Sequence, residues 1–161
     1  MKIAVIYTSK HGTTEKVAGL IAGKLKETNE VELFSMKKNA NPDLSGFEMV
    51  ILGSSIYAGQ ASGKMKTFCT TNESVLFQKK TGLFVCGMEP TQEKRAQELK
   101  DAYSDELTKK ATATGFLGGE FLFEKMNFIE RFIIKKIAKT NRTVHRIDKE
   151  AIDVFVKKLL G

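Results

Sequence analysis

The chain has no tryptophan, and only two prolines, two cysteines and two histidines among 161 residues. The cysteines, Cys69 and Cys86, form no CxxC pair and have no histidine cluster beside them, which excludes a disulfide framework and a zinc site. Isolated thiols of this kind fit a reducing cytosol, the compartment expected here. With His11 and His145 alone, histidine-based acid–base chemistry has few candidates, and no Ser/His/Asp constellation stands out. No uncharged apolar run approaches the ~20 residues of a membrane span. Met1 leads directly into an apolar segment with no cleavable signal pattern behind it. There is no internal repeat, low-complexity stretch or linker, so one domain over 1–161 is expected.

Acidic residues are also in deficit. Lys and Arg number 26 against 19 Asp and Glu, a formal charge of +7. That balance favours an anionic contact: a membrane surface, nucleic acid or an acidic substrate. A soluble protein that is simply basic fits equally well. No nucleic-acid motif is present, so no nucleic-acid partner is expected.

Five short apolar segments alternate with amphipathic ones. Lys2–Tyr7 is β-branched and nearly continuous, as in a strand buried on both faces. Val31–Phe34, Met49–Leu52, Gly82–Cys86 and Thr112–Leu117 are the other strands. Helices are predicted over about Thr13–Thr28 (Val17, Ile21 and Leu25 inward, widened by Ala18 and Leu20) and Gly63–Thr71 (Met65, Phe68 and Cys69 inward). A long helix is predicted from the N-cap Thr91, burying Ala96, Leu99, Tyr103 and Leu107. Two more follow at about Met126–Lys139 and Asp148–Leu160, the last burying Ile152, Phe155, Val156 and Leu159. This alternation predicts an α/β three-layer sandwich, a five-stranded parallel sheet in the order 2-1-3-4-5 with helices on both faces. Ligands of such sheets bind beyond the carboxyl ends of the strands, at the switch point.

The loop after the first strand, Thr8-Ser9-Lys10-His11-Gly12-Thr13-Thr14, is a small hydroxyl-rich turn at a helix N-terminus. Free N–H groups and the helix dipole make such a turn an anion site. Ser9, Thr13 and Thr14 each offer a hydroxyl, and Gly12 permits close approach or positive φ. A Walker A loop is excluded: Gly59–Met65 is one residue short and lacks the final hydroxyl. GxGxxG is absent after the first strand. A phosphate monoester pocket survives; a capped helix behind a serine-rich turn reads the same way.

Tyr7–Glu15 resembles the phosphate loop of flavodoxins, with His11 and Thr13 replacing the usual Thr and Asn. The resemblance implies a flavodoxin-like fold and a non-covalent FMN. His11 is expected to be a solvated turn residue, with a charge-assisted bond to the phosphate as the alternative; Lys10 belongs to the same loop. Gly53-Ser54-Ser55-Ile56-Tyr57-Ala58-Gly59 resembles the second flavin loop, with Tyr57 as a candidate stacking ring. Cys86-Gly87-Met88 follows the fourth strand, where electron-carrier flavodoxins carry an acidic, tyrosine-containing segment. Met88 is the candidate apolar contact to the ring, and Cys86 is expected to be a buried, inert thiol.

Residues 125–140 form an extra basic amphipathic helix. Met126, Ile129, Ile133 and Ile137 fall on one stripe suited to the core, whereas Phe128 and Phe132 lie among Lys125, Arg131, Lys135, Lys136 and Lys139. That pattern fits an interfacial helix touching an anionic membrane through Phe128, Arg131, Phe132, Lys135 and Lys139, a surface for docking a partner, or aromatics covered by Phe121–Phe123. Gly118 to Lys136 is similar to a segment of the menaquinone-dependent protoporphyrinogen dehydrogenases. The likeness implies an FMN oxidoreductase passing electrons from a porphyrinogen-like donor to a quinone or a redox partner protein. It also implies a cytoplasmic or peripheral location on the inner face of the membrane. The flavin, with no catalytic side chain, carries that chemistry. A basic electron-carrier flavodoxin without a substrate of its own is the second reading.

Overall fold

A computed structural model describes residues 1–161. The elements run β1 (Lys2–Tyr7), α1 (Thr13–Leu25), β2 (Glu30–Ser35), β3 (Met49–Tyr57), β4 (Gln60–Ala61), α2 (Gly63–Thr71), α3 (Glu73–Leu76), β5 (Lys80–Cys86), α4 (Gln92–Ala102) and α5 (Asp105–Lys110). They continue with β6 (Ala113–Phe116), β7 (Gly118–Phe121), α6 (Phe128–Ala138), β8 (Val144–Ile147) and α7 (Lys149–Leu160). The main sheet has the order β2-β1-β3-β5-β6 with every neighbouring pair parallel. Counting those five strands in chain order, this is the expected 2-1-3-4-5.

Alternate β1 residues face opposite layers, as a period of two requires. Ile3, Val5 and Tyr7 join Val17, Ile21 and Phe155 on the side covered by α1 and α7. Ala4 and Ile6 join Val50, Leu52, Met65 and Phe68 on the other. The Phe84 ring lies over Gly53, where a Cβ would come within 2.2 Å of it, so only glycine closes this part of β3 onto β5. Tyr103 is buried, and its hydroxyl lies 2.9 Å from the Leu52 carbonyl and 2.7 Å from that of Phe84, one proton shared between two strands.

Several expectations are corrected. The helix from Thr91 does not run through Leu107. It stops at Tyr103, which is extended, and restarts where Ser104 Oγ accepts from Leu107 N at 3.2 Å. Serine competes for backbone donors and so favours caps over helix interiors. Ala96 is exposed and Glu98 is buried in its place. Thr91 occupies the N-cap position, but its hydroxyl donates to Glu89 instead of capping. Leu20 is exposed. β3 extends to Tyr57 and turns back through Ala58 and Gly59, both at positive φ, into β4; a two-residue type I′ hairpin needs that conformation.

The largest departure lies between β6 and α7. A doubly wound domain needs only a short link there, yet 118–147 form an antiparallel β7–β8 hairpin with α6 inside it. Gly118 has φ +75, and a Cβ there would come within 2.0 Å of the Arg146 carbonyl, so glycine makes this sharp exit possible. On α6 the buried residues are Glu130 and Ile134, while Ile129 and Ile137 of the expected core stripe are exposed. Polar contacts set this rotation. Asn127 and Glu130 form a reciprocal capping box, and the Glu130 carboxylate reaches inward to the Lys10 ammonium and the His11 imidazole described below.

Candidate functional site

The carboxyl ends of β1, β3 and β5 open into one cleft of about 900 Å³. Ser9, Lys10, His11, Thr13, Thr14, Ser55, Ile56, Tyr57, Ala58, Gly59, Cys86, Gly87 and Met88 all line it, so three separated loops meet. Two expected residues stand behind the lining. Gly12 is the N-cap of α1 with φ 100. Ser54 is fully buried, and its hydroxyl accepts from Ser62 N at 3.2 Å, tying β3 to the start of α2.

The β1–α1 turn leaves backbone donors unused. Gly12 N–H donates to Ser9 Oγ at 3.0 Å, while the N–H groups of Ser9, Lys10, His11, Thr13 and Thr14 donate to no protein acceptor. Those of Thr13 and Thr14 are orphans of a helix start, and the helix dipole adds positive potential there. The hydroxyls are less available than the sequence implied. Thr13 Oγ1 donates to Glu120 Oε1 at 3.2 Å, and Thr14 is buried. What this loop offers an anion is therefore mainly main-chain N–H groups.

Lys10 and His11 are turned towards α6. Lys10 Nζ lies 2.9 Å from Glu130 Oε1 and 3.6 Å from the centre of the Tyr57 ring. His11 Nε2 is 3.2 Å from Glu130 Oε2, but out of line for a hydrogen bond, so the contact is electrostatic. His11 is thus a partly buried residue docked on α6 and not the solvated one expected. Its pKa is lowered, chiefly by burial, with Glu130 opposing. Burial would raise the Glu130 carboxyl, yet Lys10, the Asn127 N–H and His11 hold it below the usual range.

Three buried polar atoms on the cleft-lining residues lack a partner: His11 Nε2, Tyr57 Oη and Glu98 Oε2. A Cβ on Gly87 would sit 3.3 Å from Glu98 Oε2, which places that carboxyl against the β5 loop. Burial pushes Glu98 up to about 7, helped by the charge of Glu89. Glu98 was missed in the sequence because helical periodicity put Ala96 and Leu99 inward. Glu120, also missed, has a side chain only 2 % exposed. Burial would raise its pKa, but His145, Lys16 and Thr13 hold it low. Cys86 is buried with its thiol pushed up to about 12, an inert sulfur as expected. The insertion closes the far side of the cleft with Phe121, Ile134, Ile137, Val144, Arg142 and Arg146. No cluster of three metal-ligating side chains is present.

The chain matches the flavodoxin-domain family model over residues 4–148. It belongs to that family. It is 32% identical to a flavodoxin of Clostridium saccharobutylicum over 84 residues, about half of each chain (51% and 52%). It is 18% identical to protoporphyrinogen IX dehydrogenase [quinone] of Escherichia coli K12 over 99% of this chain and 94% of that protein. Oxidised Flavodoxin 1 of Bacillus cereus shares the fold with a TM-score of 0.60, at 18% identity, over 99% of this chain and 97% of the other.

Proposed function

We propose that the cleft holds FMN and that the protein is an FMN-dependent oxidoreductase resembling protoporphyrinogen IX dehydrogenase. One observation carries the cofactor assignment: a run of unpartnered main-chain N–H groups at the start of α1, at the mouth of a cleft on the sheet's switch point. A phosphate monoester satisfies those donors. The unpartnered His11 Nε2, Tyr57 Oη and Glu98 Oε2 fit a ligand that brings polar groups of its own. FMN, when bound, supplies one- and two-electron transfer at its ring. The protein's part is to hold the phosphate at residues 9–14, frame the ring with Ser55–Gly59 and Cys86–Met88, and exclude water with the insertion. Lys10, placed between Tyr57 and Glu130, brings a positive charge to the phosphate side.

The full-length likeness to the Escherichia coli enzyme supports a reduced, porphyrinogen-like donor and a quinone acceptor. Each quinone takes two electrons and two protons from the donor and leaves as the quinol. No helix is long and apolar enough to cross a membrane. Access to such an acceptor then runs through a peripheral surface, for which Phe128, Arg131, Phe132, Lys135 and Lys139 are the candidates. The likeness to the clostridial flavodoxin supports the second reading, a basic electron carrier docking a redox partner protein.

The test has two stages. Purified protein is titrated with FMN and followed by visible absorption and flavin fluorescence, with saturable one-to-one binding expected. Loaded protein is then given protoporphyrinogen and a menaquinone analogue. Binding without turnover selects the electron carrier, and failure to bind FMN refutes both readings.

A further inference from the structure

At 100° per residue, Phe128, Phe132, Ile129, Ile133 and Ile137 succeed one another around roughly half the circumference of α6. Phe128 is 85 % exposed, Ile129 68 %, Phe132 62 % and Ile137 62 %, with Ile133 half-buried between them. The arc begins on the outer surface and ends in the cleft, which Ile137 lines beside Ile134. Lys136 interrupts it, Arg131 and Lys135 border its Phe128 side, and Lys139 follows at the C-terminal end of the helix; none of these four cations joins an ion pair within the chain. The helix has one acid, Glu130, and it is turned inward onto Lys10 and His11.

We propose that this arc rests on an anionic bilayer and acts as a doorway, through which a membrane-dissolved quinone reaches the cleft past Ile137. A convex row of protruding phenylalanine and isoleucine, flanked on its Phe128 side by cations without ion-pair partners while the one acid of the helix is turned inward, matches the boundary between anionic headgroups and acyl chains. A folded acidic protein would have to provide a complementary groove. The doorway rests on the redox reading above, whereas the lipid contact does not.

The absence of tryptophan makes depth measurement direct. Phe132→Trp, Ile137→Trp and, as a control at the opposite end of α7, Leu160→Trp are each mixed with vesicles of phosphatidylglycerol and phosphatidylcholine carrying brominated chains. Fluorescence is expected to fall at least twofold for positions 132 and 137 and to stay unchanged for 160. Unsubstituted protein is expected to sediment with anionic vesicles and not with phosphatidylcholine alone, and Phe128→Ser with Phe132→Ser is expected to weaken that binding at least tenfold. Equal binding to neutral vesicles, or full binding by the double serine variant, overturns the surface, as does retention only by soluble acidic proteins. Quenching at 132 without quenching at 137 overturns the doorway. FMN uptake is scored without lipid, so a protein that docks but stays colourless refutes the redox reading alone.

Discussion

Glu98 offers the sharpest test of the cleft's electrostatics. Its carboxyl is buried against Gly87 with one oxygen unpartnered, and burial pushes it up from an ordinary 4.5 to about 7. Burial and the neighbouring Glu89 disfavour its charged form. The folded state therefore binds this proton more tightly than the unfolded chain does. Stability is unaffected below the unfolded value, declines as pH rises from about 4.5 to 7, and stays reduced above that. Taken in full, the shift amounts to about 3 kcal/mol; partial solvation of the other carboxyl oxygen brings the expected cost to about 1–2 kcal/mol. Glu98→Gln keeps the shape and cannot ionise. Urea denaturation of both proteins is expected to give equal stability at pH 4.5 and an advantage for the variant that grows to about 1–2 kcal/mol by pH 8. A variant that is equally stable or less stable at pH 8, or whose advantage ignores pH, would show that Glu98 is paired or solvated and that the reasoning is wrong.

Three other substitutions probe the frame. Glu130→Gln preserves the oxygen that accepts from Asn127 N but removes a negative charge beside the phosphate loop. FMN affinity is expected to rise about fivefold, the equivalent of ~1 kcal/mol of relieved repulsion, and a fluorescence titration showing weaker binding would reject that sign. Tyr103→Phe deletes a buried hydroxyl that bridges two strand carbonyls, so a loss of about 1–2 kcal/mol is expected in the same urea assay. Gly12→Ala forces a side chain onto φ 100 and is expected to cost about 1–2 kcal/mol; an unchanged melting curve would contradict it.

Strand periodicity made the sheet legible. β1 is a continuous apolar run because both of its faces are covered, and α7 shows the stripe of a helix packed on one side. The β1–α1 turn was legible as a turn because Gly12 and a run of small hydroxyl residues separate a clear strand from a clear helix. Where polar contacts overrule apolar pattern, the reading failed. On α6 the isoleucines at 129 and 137 suggested an inward stripe, but the tie from Glu130 to Lys10 and His11 turns that face outward. On α4 a glutamate occupies the inward position. The β7–β8 hairpin was missed because its strands are short, and Gly118 and Gly119 in the first read as a loop. Its register depends on contacts distant in the chain, such as Glu120 with His145 and Thr13.

The two ends of the insertion meet. Asp148 N donates to the Leu117 carbonyl at 3.1 Å, so residues 118 through 147 depart from and return to a single point at the end of β6. A segment anchored this way behaves as an excisable cassette. Shortening it to a tight turn asks nothing of α7, which already starts where the excursion ends, and lengthening it incurs only the slowly growing entropy of a longer loop. Related chains can thus exchange the part of the surface that meets the outside world while leaving the five-stranded scaffold and its β1–α1 turn intact.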